Sequence, residues 1–177
     1  MMNELCQAWY VVHTKSRFEN VVYEGLTRKS KEVFLPRLTR RSRRRDRKKF
    51  IRTPLFPGYL FVKTGDSPSE RLAVLKTVGV VRMIGNRDRP VPVDEPVIES
   101  LRIIVRANDP IETGPCFTAG EHVRVVCGPF AGVEGTFCRR QGKDRVIVNV
   151  PAMGQSAAIC VEADDVEPLT LKNSIIS

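Results

Sequence analysis

The 177-residue sequence has only two histidines, His13 and His122, no C-x-x-C pair, no H-x-x-x-H spacing and no glycine-rich phosphate loop. Zinc sites need clustered cysteine and histidine, and phosphate loops need closely spaced glycines, so neither chemistry is supported. His13 is followed by a threonine and a lysine, and His122 stands alone on an apolar segment. Neither has a serine or cysteine nucleophile and a carboxylate beside it. No catalytic residue, cofactor or metal is therefore expected. The five cysteines, Cys6, Cys116, Cys127, Cys138 and Cys160, are odd in number and unpaired in spacing, which reads as small buried thiols on strands. No apolar run approaches the roughly 20 residues of a membrane-spanning helix, and no membrane partner is expected. Met1 to Gln7 lacks the basic, apolar and small-residue order of a secretory signal, so the cytoplasm is the expected location. A monomer is the expected state.

Charge is abundant, but in one place. Arg37 to Arg52 holds ten basic residues (Arg37, Arg40, Arg41, Arg43, Arg44, Arg45, Arg47, Lys48, Lys49, Arg52) against Asp46 alone, and the chain as a whole carries +9. The rest of the protein is therefore close to neutral. A concentrated cationic segment in a neutral chain is the footprint of a polyanion partner, since each neutralised phosphate releases counterions. No aromatic residue interrupts Arg37 to Lys49, so this segment is equipped to grip backbone rather than to stack on bases.

The hydrophobic pattern changes along the chain. Ala8 to His13 reads as a strand. Ser16 with Glu19 reads as a capping box opening a helix whose apolar face is Phe18, Val21, Val22, Gly25 and Leu26. Val33–Leu35 is a short strand, the basic segment a long hairpin or loop, and Tyr59–Val62 a strand entered through Pro54, Pro57 and Gly58. Ser67 caps a second helix with Pro68 at its first position, Val80–Ile84 is a strand, and Asp94 caps a third helix with the stripe Val97, Ile98, Leu101, Ile104 and Val105. After Ala107 the helix signals stop. Short strands follow at Glu121–Cys127, Gly132–Arg140, Arg145–Val150 and Ala157–Glu162, separated by Gly/Pro turns. The expectation is an α+β chain. Residues 8–106 form an α/β sandwich domain with a mainly antiparallel sheet and a basic hairpin at 37–52. A linker follows at 107–118, then a small five-stranded β-barrel at 119–170 and a tail at 171–177. Cys116 to Leu169 contains five basic and seven acidic residues, which favours protein contact over generic nucleic-acid binding.

Gly120-Glu121-His122-Val123-Arg124-Val125-Val126-Cys127-Gly128-Pro129-Phe130-Ala131-Gly132-Val133-Glu134-Gly135 resembles the KOW motif. Trp9-Tyr10-Val11-Val12-His13-Thr14, Phe18-Glu19, Leu55-Phe56-Pro57-Gly58-Tyr59-Leu60-Phe61-Val62, Val78-Gly79-Val80-Val81 and Pro90-Val91-Pro92 follow the order of the N-terminal domain of NusG-type transcription elongation factors. The resemblance spans roughly residues 8 to 169. It implies a non-enzymatic factor whose first domain binds the clamp helices of the largest RNA polymerase subunit and meets non-template DNA or nascent RNA. By motif position the polymerase contact falls on Tyr10, Phe56, Pro57, Tyr59 and Phe61. The nucleic-acid contact falls on His13, Lys15, Arg17, Arg71 and Lys76, joined by Arg43, Arg44, Arg45, Arg47 and Lys48 of the basic segment. In the KOW unit the partner contact falls on Phe130, Met153 and Gln155. The basic segment is longer than in housekeeping members, and Pro151-Ala152-Met153-Gly154-Gln155 replaces their Phe-Gly-Arg tip. The resemblance implies the terminator Rho or a ribosomal protein as partner of the KOW unit, and this tip lacks the aromatic and arginine anchors for either, so a specialised operon-specific antiterminator is the preferred expectation. A housekeeping NusG is the alternative within the family, and a ribosome-associated RNA-binding protein the alternative outside it.

Overall fold

In a computed structural model the described residues are 6–42, 49–86 and 89–169. The chain opens with β1 (Gln7–Thr14), α1 (Glu19–Arg28) and β2 (Glu32–Phe34). A hairpin of β3 (Arg37–Arg41) and β4 (Phe50–Pro54) leads to β5 (Tyr59–Gly65), α2 (Pro68–Leu75) and β6 (Val80–Met83). The short strands β7 (Gly85–Asn86), β8 (Arg89–Pro90) and β9 (Pro92–Val93) precede α3 (Glu95–Ala107). The first sheet has the order β2-β5-β1-β6 with β9 also on β1, every pair antiparallel.

Alternation along β1 explains the layers. Tyr10 and Val12 point to one face with Leu60 and Val62, where Val22 and Leu26 of α1 and Val74 of α2 close over them. Trp9 and Val11 point to the other face with Phe61, where Ile98, Leu101 and Ile104 of α3 cover them. Both faces of the central strands are buried, so their residues read as a near-continuous apolar run rather than an alternating one. Each fully buried aliphatic side chain in these layers contributes on the order of 1.5–3 kcal/mol relative to exposure. Trp9 donates its indole N–H to Glu95 at 3.0 Å. Arg102 lies 5.3 Å from the Trp9 ring centroid and pairs with Glu32 at 2.9 Å, so α3 is pinned to the sheet edge as well as packed on it.

The helix starts are a partial match to expectation. Ser67 accepts from the Glu70 amide at 3.2 Å as a true cap, and Asp94 occupies its N-cap position without a side-chain bond. The Ser16–Glu19 capping box does not form. The N-cap is Phe18, with no side-chain bond, because the Glu19 carboxylate has a different partner described below. Nor is the whole apolar stripe of α1 buried: Val22 and Leu26 are, whereas Phe18 and Val21 stay exposed.

The second sheet comprises β10 (Ile111–Pro115), β11 (Glu121–Val125), β12 (Glu134–Arg140), β13 (Lys143–Val150), β14 (Gln155–Cys160) and β15 (Val166–Pro168), in the order β10-β14-β13-β12-β11-β15. The five strands expected at 119–170 are β11 to β15; β10 joins them as a sixth, every pair is antiparallel, and among the described residues β10 and β15 do not pair. The sharp β12–β13 turn of this sheet uses Gln141 and Gly142 at φ 53° and 72°, the two positive values that a type I′ hairpin demands. The extra strand comes from the segment expected to be a linker. Residues 111–115 pair with β14 along their whole length, and Asn149 exchanges two hydrogen bonds with the Phe117 backbone at 2.9 and 2.6 Å. A weakly patterned sequence became a strand because β14 offered an unpaired edge, a tertiary fact that local periodicity does not carry. Only Asn108–Pro110 connects α3 to this sheet.

The two sheets also share α3. Ser100, 1% exposed, accepts from the Glu134 amide at 2.9 Å and donates to the Glu134 carbonyl at 3.4 Å. A Cβ on Gly132 would lie 3.0 Å from the Ile103 methyl, so the β11–β12 turn rests on the outer side of the same helix. The cysteines depart from expectation. Cys6, Cys127 and Cys160 are exposed and all five are free. Burial raises the Cys116 thiol above its usual value.

Amide hydrogen exchange tests the strand at 111–115 directly. The backbone amides of Glu112 and Gly114, the alternate residues that face β14 in register with the Cys116 amide on the Gly154 carbonyl, should exchange slowly, and limited proteolysis should spare this stretch. Exchange at the rate of an unstructured segment would contradict the pairing.

Candidate nucleic-acid and protein interfaces

The Leu55-Phe56-Pro57-Gly58-Tyr59 turn is held from three sides. Its entry is fixed by the Leu55 amide on the Pro36 carbonyl at 2.8 Å, and the turn closes with the Tyr59 amide on the Phe56 carbonyl at 3.1 Å. Gly58, at φ 83°, is in the left-handed region where a side chain is costly. Its carbonyl accepts from the Thr14 amide at 2.8 Å, and its own amide donates to the Glu19 carboxylate at 2.8 Å. Glu19 is 8% exposed, so this charge-assisted bond is made away from solvent, where it is strongest. The motif Phe18-Glu19 and the motif Phe56-Pro57-Gly58-Tyr59 are therefore two halves of one device that presents Pro57 and Tyr59.

Of the five residues expected to touch polymerase, the structure brings four together. Tyr59 and Phe61 share a sheet face, Phe56 lies in the same apolar cluster, and Pro57 is exposed at the turn. Phe56 and Phe61 are 1% and 0% exposed, and Phe61 stacks on Phe34 with centroids 5.8 Å apart. Tyr10 is on the opposite face, 4% exposed among Val12, Leu60 and Val62. Burial, with Asp66 as a second cause, raises its phenol above the usual range. Tyr59 is half-buried and stacks on His13 at 5.1 Å between centroids. His13, expected among the nucleic-acid contacts, thus belongs geometrically to the Pro57–Tyr59 turn.

The remaining cations separate into three places. Lys15 and Arg17 are exposed in the β1–α1 turn, and Lys76 is exposed at the end of α2. Arg71 is 3.8 Å from Asp66 and lines a different groove, about 480 Å³, with Leu72, Leu75, Arg82 and Arg89. The basic hairpin shows Arg40, Arg41, Lys49 and Arg52 exposed, whereas Arg37 donates to Asn20 at 2.6 Å and lies over the Tyr23 ring. Arg43, Arg44, Arg45, Arg47 and Lys48 lie outside the described residues.

In the second sheet Phe130 is 7% exposed and belongs to the apolar cluster that runs into α3. Met153 and Gln155 are half-buried at the β13–β14 turn, two strands away from the β11–β12 turn that carries Phe130. These three residues do not form one exposed surface. Among the described residues, no group of three His, Cys, Asp or Glu side chains is placed to hold a metal ion, and no helix is long and apolar enough to cross a membrane.

The family profile described as "Transcription termination factor nusG" matches residues 7–102. The chain belongs to the NusG family. It is similar to the transcription termination/antitermination protein NusG of Thermus thermophilus, 33% identical over 164 residues, which cover 80% of this chain and 89% of that protein. It is also similar to NusG of Pseudomonas aeruginosa, 29% identical over 175 residues and covering 92% and 99% of the two chains. Among solved structures, that described as "Domain interaction in Thermotoga maritima NusG" aligns over 93% of this chain and 98% of that one, with a TM-score of 0.52 and 21% identity. This last likeness concerns the fold.

The NusG motifs were legible because they are contiguous. Three apolar residues near the cations, Phe18, Val21 and Val78, are exposed, and the sequence does not mark them as surface. Helical spacing assigns Phe18 and Val21 to an apolar face, and no local signal says that this face is wider than the sheet beneath it.

The Glu19–Gly58 bond is testable by substitution. Glu19→Ala leaves a buried amide without its acceptor and should lower unfolding stability by about 1–3 kcal/mol. Glu19→Gln keeps the oxygen and should recover a large part of that loss. Urea titration followed by tryptophan fluorescence reads both. Equal stability of Glu19→Ala and the parent chain would show that the turn does not depend on the carboxylate.

Proposed function

We propose that this NusG-family chain is a transcription elongation factor that binds the RNA polymerase clamp helices with its first unit and upstream nucleic acid with the β3–β4 hairpin. Bound in this way, it suppresses pausing and termination. Family membership supports the transcription role. The observation that carries the nucleic-acid role is the hairpin, whose segment holds ten cations and one acid and whose described arginines Arg40, Arg41 and Arg52 are exposed. The polymerase contact centres on Pro57 and Tyr59, with His13 stacked behind Tyr59 and with Phe56 and Phe61 as a packed floor. Tyr10 has no part in that contact in this reading, because it lies under the other face. The protein acts in the cytoplasm by binding, without a reaction of its own.

An operon-specific antiterminator is the finer reading. The longer basic segment and the Pro151-Ala152-Met153-Gly154-Gln155 tip support it, because the tip lacks the aromatic and arginine anchors that dominate interface energy. The second unit, with its boundary at Asn108–Pro110, then engages a protein partner through Met153 and Gln155, and through Phe130 only when the contact with α3 is released. The housekeeping role is the second reading. It is favoured by matches that run through 89–99% of the length of relatives simply named NusG. Deleting the gene separates the two: altered transcription confined to one operon supports the specialised role, and a genome-wide change supports the housekeeping one.

Replacing Pro57 and Tyr59 with Ala should weaken binding to a purified clamp-helix fragment by about thirtyfold, the equivalent of one buried aromatic anchor of about 2 kcal/mol. Unchanged affinity in a folded variant would overturn the polymerase contact. Replacing Arg43, Arg44, Arg45 and Arg47 with Ser should weaken nucleic-acid binding uniformly across sequences. It should also flatten the salt dependence, by about 0.7–0.9 log units per log salt for each phosphate that is no longer neutralised. An unaltered slope would show these arginines to be bystander charge.

A further inference from the structure

Three of the five thiols are exposed, although cysteine is among the residues most often buried. Cys6 is one, at the start of the described chain. The other two, Cys127 and Cys160, lie on different elements of the second unit and open on one cleft of about 220 Å³. The two remaining thiols are accounted for by the fold. Cys116 donates to the Gln155 carbonyl at 3.4 Å and is the thiol that burial raises, and Cys138 is half-buried on β12, opposite Arg145 in register.

The backbone places the two cleft thiols at the ends of one turn. Cys160 is the last residue of β14, and the Val161 amide beside it donates to the Asp144 carbonyl at 3.1 Å. The chain then makes a single helical turn, Ala163–Asp165, with the Asp165 amide on the Glu162 carbonyl at 3.0 Å. The Asp165 carbonyl accepts in turn from the amide of Val126, the neighbour of Cys127, at 2.8 Å. Cys127 and Cys160, far apart in sequence, are thus linked in space by one short turn and one hydrogen bond. The two sulfurs are not bonded to each other, and the room to close lies on the Cys127 side. Gly128 follows it at φ 78°, with nothing within 4 Å of where a Cβ would stand. Among the described residues that line the cleft are the carboxylates of Asp109, Glu162 and Asp165, and no lysine or arginine. Such a rim disfavours an anionic oxidant such as glutathione disulfide and leaves a small neutral one unhindered.

We propose that Cys127 and Cys160 form a dithiol modification site whose substrate is a small neutral hydroperoxide. One thiol gives up its proton and attacks the peroxide. A sulfur–oxygen bond forms, the oxygen–oxygen bond breaks, and the distal oxygen leaves with that proton as water or an alcohol. The second thiol attacks the resulting sulfenic acid, a disulfide bond forms, the sulfur–oxygen bond breaks, and the oxygen leaves with the second proton as water. The two thiols lose two electrons and two protons, and the peroxide takes up both. A resolving thiol in the same cleft is what keeps a sulfenic acid from irreversible further oxidation. The bridge ties the β11–β12 turn to the turn after β14. That β11–β12 turn rests on Ile103 of α3 through Gly132, and Asp109 of the Asn108–Pro110 connection lines the same cleft, so the bridge stands at the joint between the two units. The inference is independent of the polymerase and nucleic-acid readings.

The test uses the full chain, reduced, freed of reductant and treated with hydrogen peroxide. Thiol titration should show two of the five thiols lost per chain, and peptide mapping without reductant should find Cys127 joined to Cys160 within one chain. Dithiothreitol should restore both thiols. Cys127→Ser and Cys160→Ser, each at an exposed position, should abolish the bridge, and dimedone should trap a sulfenic acid on the thiol left behind in at least one of them. Cys138→Ser, which removes a half-buried thiol on β12, should form the bridge as fast as the parent. Glutathione disulfide at the same concentration should leave the pair unmodified in the time that peroxide completes the bridge. Retention of all the thiols overturns the proposal, as does a bridge between two chains or through any other cysteine. A bridge that forms only after the chain is unfolded in urea also overturns it, because the folded cleft would then have no part in the pairing, and equal rates with the two oxidants overturn the choice of substrate.

Discussion

The central strands β1 and β5 are apolar on both faces, and covering both faces is the constraint from which the rest of the molecule follows. Leu60, Phe61 and Val62 are each 0% exposed although they alternate in direction. One face is closed by α1 and α2, and the other by α3. Because α3 lies on that second face with its apolar stripe, its far side is left to be covered in turn. The β11–β12 turn and β13 take that place. The apolar cluster accordingly runs without a break from Trp9 and Phe61 through Ile98 and Leu101 to Val146 and Val148.

Hydrophobic cover sets the layers but not their alignment, since burial of area is nearly indifferent to small slides. A few buried polar bonds supply the register. Glu19 on the Gly58 amide ties the start of α1 to the turn before β5, Trp9 on Glu95 ties α3 to β1, and Ser100 on both backbone groups of Glu134 ties the two sheets to each other. Each would be costly to leave unmade, because the groups are partly or wholly removed from water. The consequence for function is positional. Tyr59, His13 and Pro57 form one presented group, anchored through Glu19 on the Gly58 amide.

The packing of α3 also explains why Phe130 is not a free contact residue in this arrangement. Its turn rests against Ile103, on the side of the helix that the first sheet does not use. A site on the second unit and the surface of the first are therefore connected by a single helix and by the short Asn108–Pro110 connection. Asn108 ends α3 in the left-handed conformation at φ 55°, which reverses the chain sharply enough to lay β10 along β14.

The three helices, the strand-rich second half, the basic hairpin and the NusG family can all be read from contiguous residues: period, caps, turn glycines and motif order. The sequence also marks Phe56-Pro57-Gly58-Tyr59 and Phe18-Glu19 as important. That these two are bonded to each other, that Tyr10 lies under the face opposite Phe61, that His13 stacks on Tyr59, and that residues 111–115 pair as a strand all follow from contacts between segments distant along the chain. Local pattern records which residues are apolar, whereas exposure depends on how much surface the neighbouring layer covers. That is why Phe18 and Val78, apolar in sequence, are surface in the fold, and why Phe61, a candidate contact in sequence, is core.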